Sequence, residues 1–188
     1  MGFILVIIHP KGFMAKIEID LNPVTHITTD AIGKPGSRVF YLQATQNEQV
    51  VTLLIEKVQI QSLAVGVEQF LAELSQKYPD LPDASPEYGE EQMRISPPVD
   101  PLFRVGELGL GYDNDRDLVV LVAREITTEG ADPEEMGVVR LWCTRSQVRA
   151  LCHWGVDVVN RGRPICPQCG EPMDPAGHFC PKKNGHKH

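Results

Sequence analysis

A chain of 188 residues with 42% apolar content is long enough for one ordinary domain with an appendage, or two small domains sharing a core. Its 25 Asp and Glu against 18 Lys and Arg give a net charge of −7, which argues against a general binder of nucleic acid or anionic membrane, because both need clustered Lys and Arg. Five cysteines, an odd number, fit a reducing compartment better than a disulfide framework, so a cytoplasmic protein is expected.

The opening run Phe3-Ile-Leu-Val-Ile-Ile8 is apolar but too short to span a bilayer. It has neither a basic flank nor a small-residue cleavage site, and reads as a first strand or a leader without fixed structure. Alternation over Ala15–Asp20 and Val24–Ile32 predicts short strands interrupted at Pro23. Gly33-Lys-Pro-Gly36 predicts a turn, since proline presets φ and glycine accepts a positive one. Strands are expected at Val39–Thr45 and Val50–Glu56, joined tightly through Gln46-Asn-Glu48. Apolar residues Ile60, Leu63, Val67, Phe70, Leu71 and Leu74 then give Gln59–Gln76 the period of an amphipathic helix.

Residues 78–101 carry six prolines and little apolar content, and read as a linker without regular structure. Strands are predicted again at Phe103–Tyr112, Leu118–Ile126 and Val138–Thr144, with a turn at Asp113-Asn-Asp115. A helix follows over Ser146–Asn160, with Thr144 and Gln147 at capping-box spacing. The same order of elements has come round twice. At an offset of 88, Val50-Val-Thr-Leu-Leu-Ile-Glu56 lies over Val138-Val-Arg-Leu-Trp-Cys-Thr144, and the helices continue the match with Gln59 over Gln147 and Leu63 over Leu151. The preceding strands match at 80, Val39 over Val119 and Tyr41 over Leu121, because of a longer acidic loop over 127–137. The expected fold is α+β: two β-β-β-α units over about 15–77 and 102–160, a possible internal duplication, in a body of 1–160. A zinc-binding tail occupies 161–188. The groove between the units is where a ligand is expected.

The strongest chemical signal is the tail, Cys166-Pro-Gln-Cys169-Gly170 followed by His178-Phe-Cys180-Pro181. Two thiolates separated by two residues, with a chain reversal at glycine, present both sulfurs to one point, and Zn²⁺ is the usual occupant. Cys166, Cys169 and Cys180 are the firm ligands. The fourth is His178, with His186 or Asp174 as the other candidates. Four protein ligands leave no position for a substrate, so the zinc is read as structural. The tail is basic, with five Lys and Arg against two Asp and Glu, which leaves the body near −10.

Other motifs read as structure. Cys143 and Cys152 fall on the last strand and helix and are expected to be buried; adjacency alone does not make His153 and Cys152 a catalytic dyad, because helix neighbours point about 100° apart. His153 and Trp154 are expected at the helix flank, with the tail folded back over Trp154. Asp113, Asp115 and Asp117 alternate as in calcium loops, but Leu118 stands where such a loop needs glycine and Arg124 where it needs glutamate. A polar turn is expected instead. Gly106, Gly109 and Gly111 precede no helix that could bind phosphate and are assigned to bulges or close packing. Glu125, Glu129, Asp132, Glu134 and Glu135 form a solvated acidic loop, and His9 and His26 stand alone.

Val24-Thr-His-Ile-Thr-Thr-Asp-Ala-Ile-Gly-Lys-Pro-Gly-Ser-Arg-Val-Phe-Tyr-Leu-Gln-Ala44, the Gly162–Gly170 segment and Asp174–Gly185 together resemble the DUF3090 family, over nearly the whole chain after about residue 14. The resemblance implies a bacterial cytoplasmic protein encoded near a kinase-like and a phosphoglycerate-mutase-like protein, with no established activity. It also implies His178 in place of His186, through the family's His-x-Cys-Pro element. Met1–Gly12 depart from the family pattern.

No nucleophile, base and polarising group stand at readable spacing, which favours a non-enzymatic interaction or adaptor module with a protein partner. The alternative is an enzyme acting on a phosphorylated or nucleotide-like metabolite between the units, with Arg38, Arg104 and Arg124 on its anionic oxygens. Nucleic-acid binding through the basic tail is the third reading, disfavoured by the acidic body.

Overall fold

The computed structural model describes residues 16–127, 135–173 and 178–183. The chain is α+β, with strands β1 (Glu18–Leu21), β2 (His26–Ile32), β3 (Val39–Gln46) and β4 (Gln49–Ile55), helix α1 (Lys57–Lys77), strands β5 (Val105–Asp113), β6 (Leu118–Glu125) and β7 (Val138–Cys143), and helix α2 (Arg145–Asn160). Each unit is an antiparallel meander followed by a helix. The first sheet has the order β2-β3-β4 and the second β1-β7-β6-β5.

The helices begin 88 residues apart, at Lys57 and Arg145, and their N-termini are built alike. Glu56 and Thr144 are the caps, and Gln59 and Gln147 three residues on complete a capping box in each. The remaining amide hydrogens of these glutamines reach across to the other unit. Gln147 Nε2 donates to Val24 O and Thr25 O (3.4 and 3.3 Å), and Gln59 Nε2 to Val105 O and Gly106 O (3.1 and 3.3 Å).

β1 precedes the first meander but joins the second sheet, pairing parallel with β7 (Leu21 opposite Leu141), and Val24 N continues the ladder to Trp142 O at 2.8 Å. In return, residues 102–104 run along β4, with Leu102 N to Thr52 O at 2.9 Å and Leu54 N to Phe103 O at 3.0 Å. Each meander is thus extended by the stretch that precedes the other, a strand in one case and an isolated bridge in the other. Such a strand has no local turn to announce it, so alternation finds the strand and not its partner.

Inward faces fix the register. Leu42 lies opposite Leu53 and Leu121 opposite Leu141, all at most 1% exposed. The third and second strands of the two units therefore correspond at 88 (Leu53 and Leu141) and 79 (Leu42 and Leu121), not at the 80 expected from sequence. An offset of 80 would set inward residues of β3 over outward residues of β6, since side chains alternate along a strand. The first strands correspond at 81, Thr29 with Leu110, because Thr29 faces Leu42 and Leu110 faces Leu121.

The helices pack on each other, α2 also covers β2, and α1 meets β5. Gly155 marks the crossing: a Cβ there would lie 2.7 Å from Ile60 Cγ2 and 3.1 Å from Thr29 Cγ2, so only glycine permits this approach. Trp154 is fully buried beside it, and its Nε1 donates to Thr29 O at 2.6 Å. Tyr88 meets the indole edge-on, and the Arg94 and Arg161 guanidinium groups lie 5.2 and 4.6 Å from its ring. The sequence places Trp154 at the helix flank. It faces inward because β2, borrowed by α2 from the other unit, supplies both an apolar surface and an acceptor for the indole N–H.

Residues 78–101 contain no helix or strand, yet they are packed as a strap: Pro82, Ala84, Ser85 and Tyr88 bond to α2, and residues 93–96 cross the outer face of the first sheet. Met93 is buried, Thr28 Oγ1 donates to its carbonyl, and the Gln43 amide pairs with the Ser96 backbone in both directions (2.9 and 2.8 Å). Buried Gln43, Thr28 and Thr52 are therefore polar residues with partners under a strap.

Charged pairs hold the helices laterally. Arg145 grips Asp117 with Nε and Nη2 (2.7 and 3.0 Å), and Arg149 grips Glu68 likewise (2.8 and 2.9 Å). Hydrogen bonds from Arg145 hold Asp117 below the usual carboxylate range, and those from Arg149 do the same for Glu68. A depressed folded pKa means that the unfolded chain takes up protons first. The stabilisation is then complete above the unfolded value near 4 and is lost as pH falls through the folded values. Asp117→Asn keeps the turn, where Asp117 sits at φ 50, and should flatten this acid limb while costing about 1–2 kcal/mol at neutral pH. Urea midpoints between pH 3 and 7 test it; parallel curves for variant and native chain would refute the pairing.

Candidate metal centre

α2 ends under Arg38. Its Nη1 and Nη2 donate to Val158 O and Val159 O (2.7 and 3.1 Å), carbonyls of the last helical turn, the second of which also accepts from Gly162 N at 3.2 Å. Arg38 is delivered by the turn Gly33-Lys-Pro-Gly-Ser37, in which Gly33 and Gly36 take φ of +114 and +96. A Cβ on Gly36 would stand 3.3 Å from Arg163 Nε. The glycine-proline turn of the first unit is thus a bracket for the point where the tail leaves the second.

Beyond it the chain folds into a knuckle. Ile165 and Pro172 form an antiparallel bridge, Met173 N reaches Pro164 O at 2.8 Å, and Cys166 N reaches Glu171 O at 2.8 Å. The reversal is made by Gly170, at φ +79, whose N–H donates to Cys166 O at 2.9 Å. Backbone N–H groups of Cys169 and Gln168 point at the Cys166 sulfur and draw its thiol pKa down to about 6. At Cys169 the Glu171 N–H acts in the same direction, but burial and the neighbouring sulfurs outweigh it and the shift is upward. Sulfurs this close resist ionising together, and a shared cation removes that resistance.

The return segment brings His178 and Cys180 to the knuckle. Cys166 Sγ and Cys180 Sγ are 3.8 Å apart, Cys169 Sγ and His178 Nε2 are 3.1 Å apart, and the ligand atoms of all four residues lie within 4.8 Å of one another. Cys166 and Cys180 are buried. This Cys₃His cluster can hold a metal ion. Gln168, which sequence reasoning passed over as the spacer between cysteines, places Oε1 3.8 Å from Cys180 Sγ. Asp174, His186 and His188 lie outside the described residues, as do His9 and the loop residues Glu129, Asp132 and Glu134.

The remaining candidates are not brought together. Arg38 caps α2, Arg104 Nη1 pairs with Glu56, and Arg124 Nε stands 3.9 Å from Glu107, so no shared anion site forms from the three. Cys143 and Cys152 are buried, and desolvation pushes both thiols up to about 12; His153 turns instead to Glu68, at 3.2 Å. Asp113 Oδ1 accepts from the N–H groups of Asp115 and Arg116 (3.1 and 3.2 Å), a polar turn. Gly106 sits at a register shift where a Cβ would come within 2.7 Å of Ile126 Cα, whereas Gly109 has nothing within 4 Å of that position, so close packing explains the first and not the second. His26 has a buried Nε2 without a hydrogen-bond partner, and burial lowers its pKa.

The arrangement defines a mixed α+β protein closed at its C-terminal end by a Cys₃His cluster. The family described as "Protein of unknown function (DUF3090)" matches residues 19–180, and the chain belongs to it. Neither the curated proteins nor the solved structures contain a match. Among the described residues no helix is long and apolar enough to cross a membrane.

Proposed function

We propose that Cys166, Cys169, His178 and Cys180 hold one structural zinc ion, and that the chain is a cytoplasmic, non-enzymatic module that binds another protein. The observation that carries the metal assignment is the 3.8 Å between Cys166 Sγ and Cys180 Sγ. Two thiolates at about 2.3 Å from a tetrahedral zinc are separated by about 3.8 Å. With four protein ligands the ion has no open position, and what it supplies is folding free energy for a tail that has few apolar residues of its own.

The interaction reading is supported by the fates of the groups that catalysis would need. Both body cysteines are sealed and un-ionised, and the three arginines of the anion hypothesis are each engaged elsewhere. The matched capping boxes, the exchanged glutamine contacts and the exchanged pairing of β1 with β7 and of residues 102–104 with β4 further support a duplicated unit whose halves interlock about a pseudo-twofold axis. Affinity purification of the endogenous chain tests the module reading: a partner recovered stoichiometrically supports it, and turnover of a phosphorylated metabolite by the pure chain would replace it with the enzymatic alternative.

A further inference from the structure

The two halves differ in how the helix meets the strand it covers. In the second helix, Trp154 fills the space between α2 and β2 and donates its indole N–H to Thr29 O. At the helix offset of 88 the corresponding residue of α1 is Gly66, and at the first-strand offset of 81 the counterpart of Thr29 is Leu110 on β5. Gly66 and Leu110 face the same groove. It lies between α1 and β5, measures about 390 Å³, and is walled by Val58, Ser62, Leu63 and Leu108 as well. A tryptophan in the protein interior occupies well under that volume.

One glycine of this groove has no reason found within the chain. Gly66 lies in the middle of a 21-residue helix, where glycine is unfavourable relative to alanine, and a Cβ there would touch nothing within 4 Å. Gly155 on the other helix is the contrast, since there the missing Cβ is required by Ile60 and Thr29. β5 is also an edge strand, nine residues long; Gln59 takes its first two carbonyls, Val105 O and Gly106 O, and beyond them neither proline nor lysine blunts it.

We propose that the α1–β5 groove receives a tryptophan side chain from an extended segment of a partner protein, which lies along the free edge of β5 and reproduces from outside what Trp154 does inside. The indole enters over Gly66, and its N–H is taken by the main-chain carbonyl of Leu110. Charge selects the flanks of the segment. Among the described residues lining the groove the charged one is Glu107, whose exposed carboxylate meets Arg124 only loosely, at 3.9 Å, so a Lys or Arg beside the tryptophan can pair with it as well. The same charge disfavours a second copy of this acidic chain. This inference deepens the interaction-module reading and rests on it and on the correspondence between the halves.

The test is a displayed random-peptide selection on the full metal-loaded chain, repeated on Gly66→Trp. The substitution supplies the missing plug in cis and replaces a mid-helix glycine, so the variant should fold with an equal or higher Tm. The expected winners carry tryptophan flanked by Lys or Arg, are displaced by N-acetyltryptophanamide, and bind Gly66→Trp at least tenfold more weakly. Winners that lack tryptophan, winners that bind Gly66→Trp equally well, or no enrichment over background would each overturn the assignment. So would a dimer dissociated by Gly66→Trp, which would give the groove to a second copy. An endogenous partner that still co-purifies with Gly66→Trp would sink the groove and leave the module reading standing.

Discussion

Trp154→Ala should lower the unfolding free energy by about 3–5 kcal/mol, the range for truncating a large buried aromatic side chain. Domains of this size are stable by about 5–15 kcal/mol, so the loss is a large share of the total. Three effects act together. The cavity opens where α2, β2 and the strap meet, Thr29 O loses its indole donor, and Tyr88, Arg94 and Arg161 lose the ring they pack against. Trp154→Phe keeps most of the apolar contact and removes the hydrogen bond, so it should cost less, about 1–3 kcal/mol. Urea unfolding of both variants measures the difference. A Trp154→Ala chain within 1 kcal/mol of native would mean that α2 is not seated on β2 as described.

Cys169→Ser should have the second large effect, and it should be local. A hydroxyl is a poor replacement for a thiolate at zinc, and structural zinc sites contribute about 10–16 kcal/mol of apparent binding free energy to the segments they fold. The variant should lose stoichiometric metal, and amides over 162–173 and 178–183 should lose protection against hydrogen exchange. The meanders should stay protected, since the core of Leu21, Leu42, Leu53, Leu121 and Leu141 is assembled without the tail. Unfolding of the body along with the tail would show that the knuckle supports more than itself. The bracket made by Arg38 and Gly36 is where such coupling would run.

The elements of this fold are legible in the sequence because their signals are local. Alternation gives the strands within a few residues, the 3.6 period gives α1, and Thr144 with Gln147 gives the start of α2. The knuckle is legible for the same reason: Cys-x-x-Cys-Gly specifies its own reversal, and Gly170 makes it. What the sequence conceals is pairing at long range. Nothing near Glu18–Leu21 says that it will lie parallel to β7, and Pro-rich residues 78–101 read as a linker because the groups that bind them, Gln43 and Thr28, lie dozens of residues earlier. The slip from 79 to 80 in aligning the halves has the same origin, since Val39 and Val119 are alike as letters and only the sheet shows which faces inward. Gly66 was visible as a glycine inside a helical pattern. Its meaning depends on Trp154 standing in the matching place.

Zinc K-edge X-ray absorption on the purified native chain, with metal content measured on the same sample, tests the central claim most directly. The expected result is one zinc per chain with three sulfurs at about 2.3 Å and one nitrogen at about 2.0–2.1 Å. A chain that folds with no bound zinc, or zinc with two or fewer sulfurs and a water in its first shell, would contradict a closed structural site at Cys166, Cys169, His178 and Cys180.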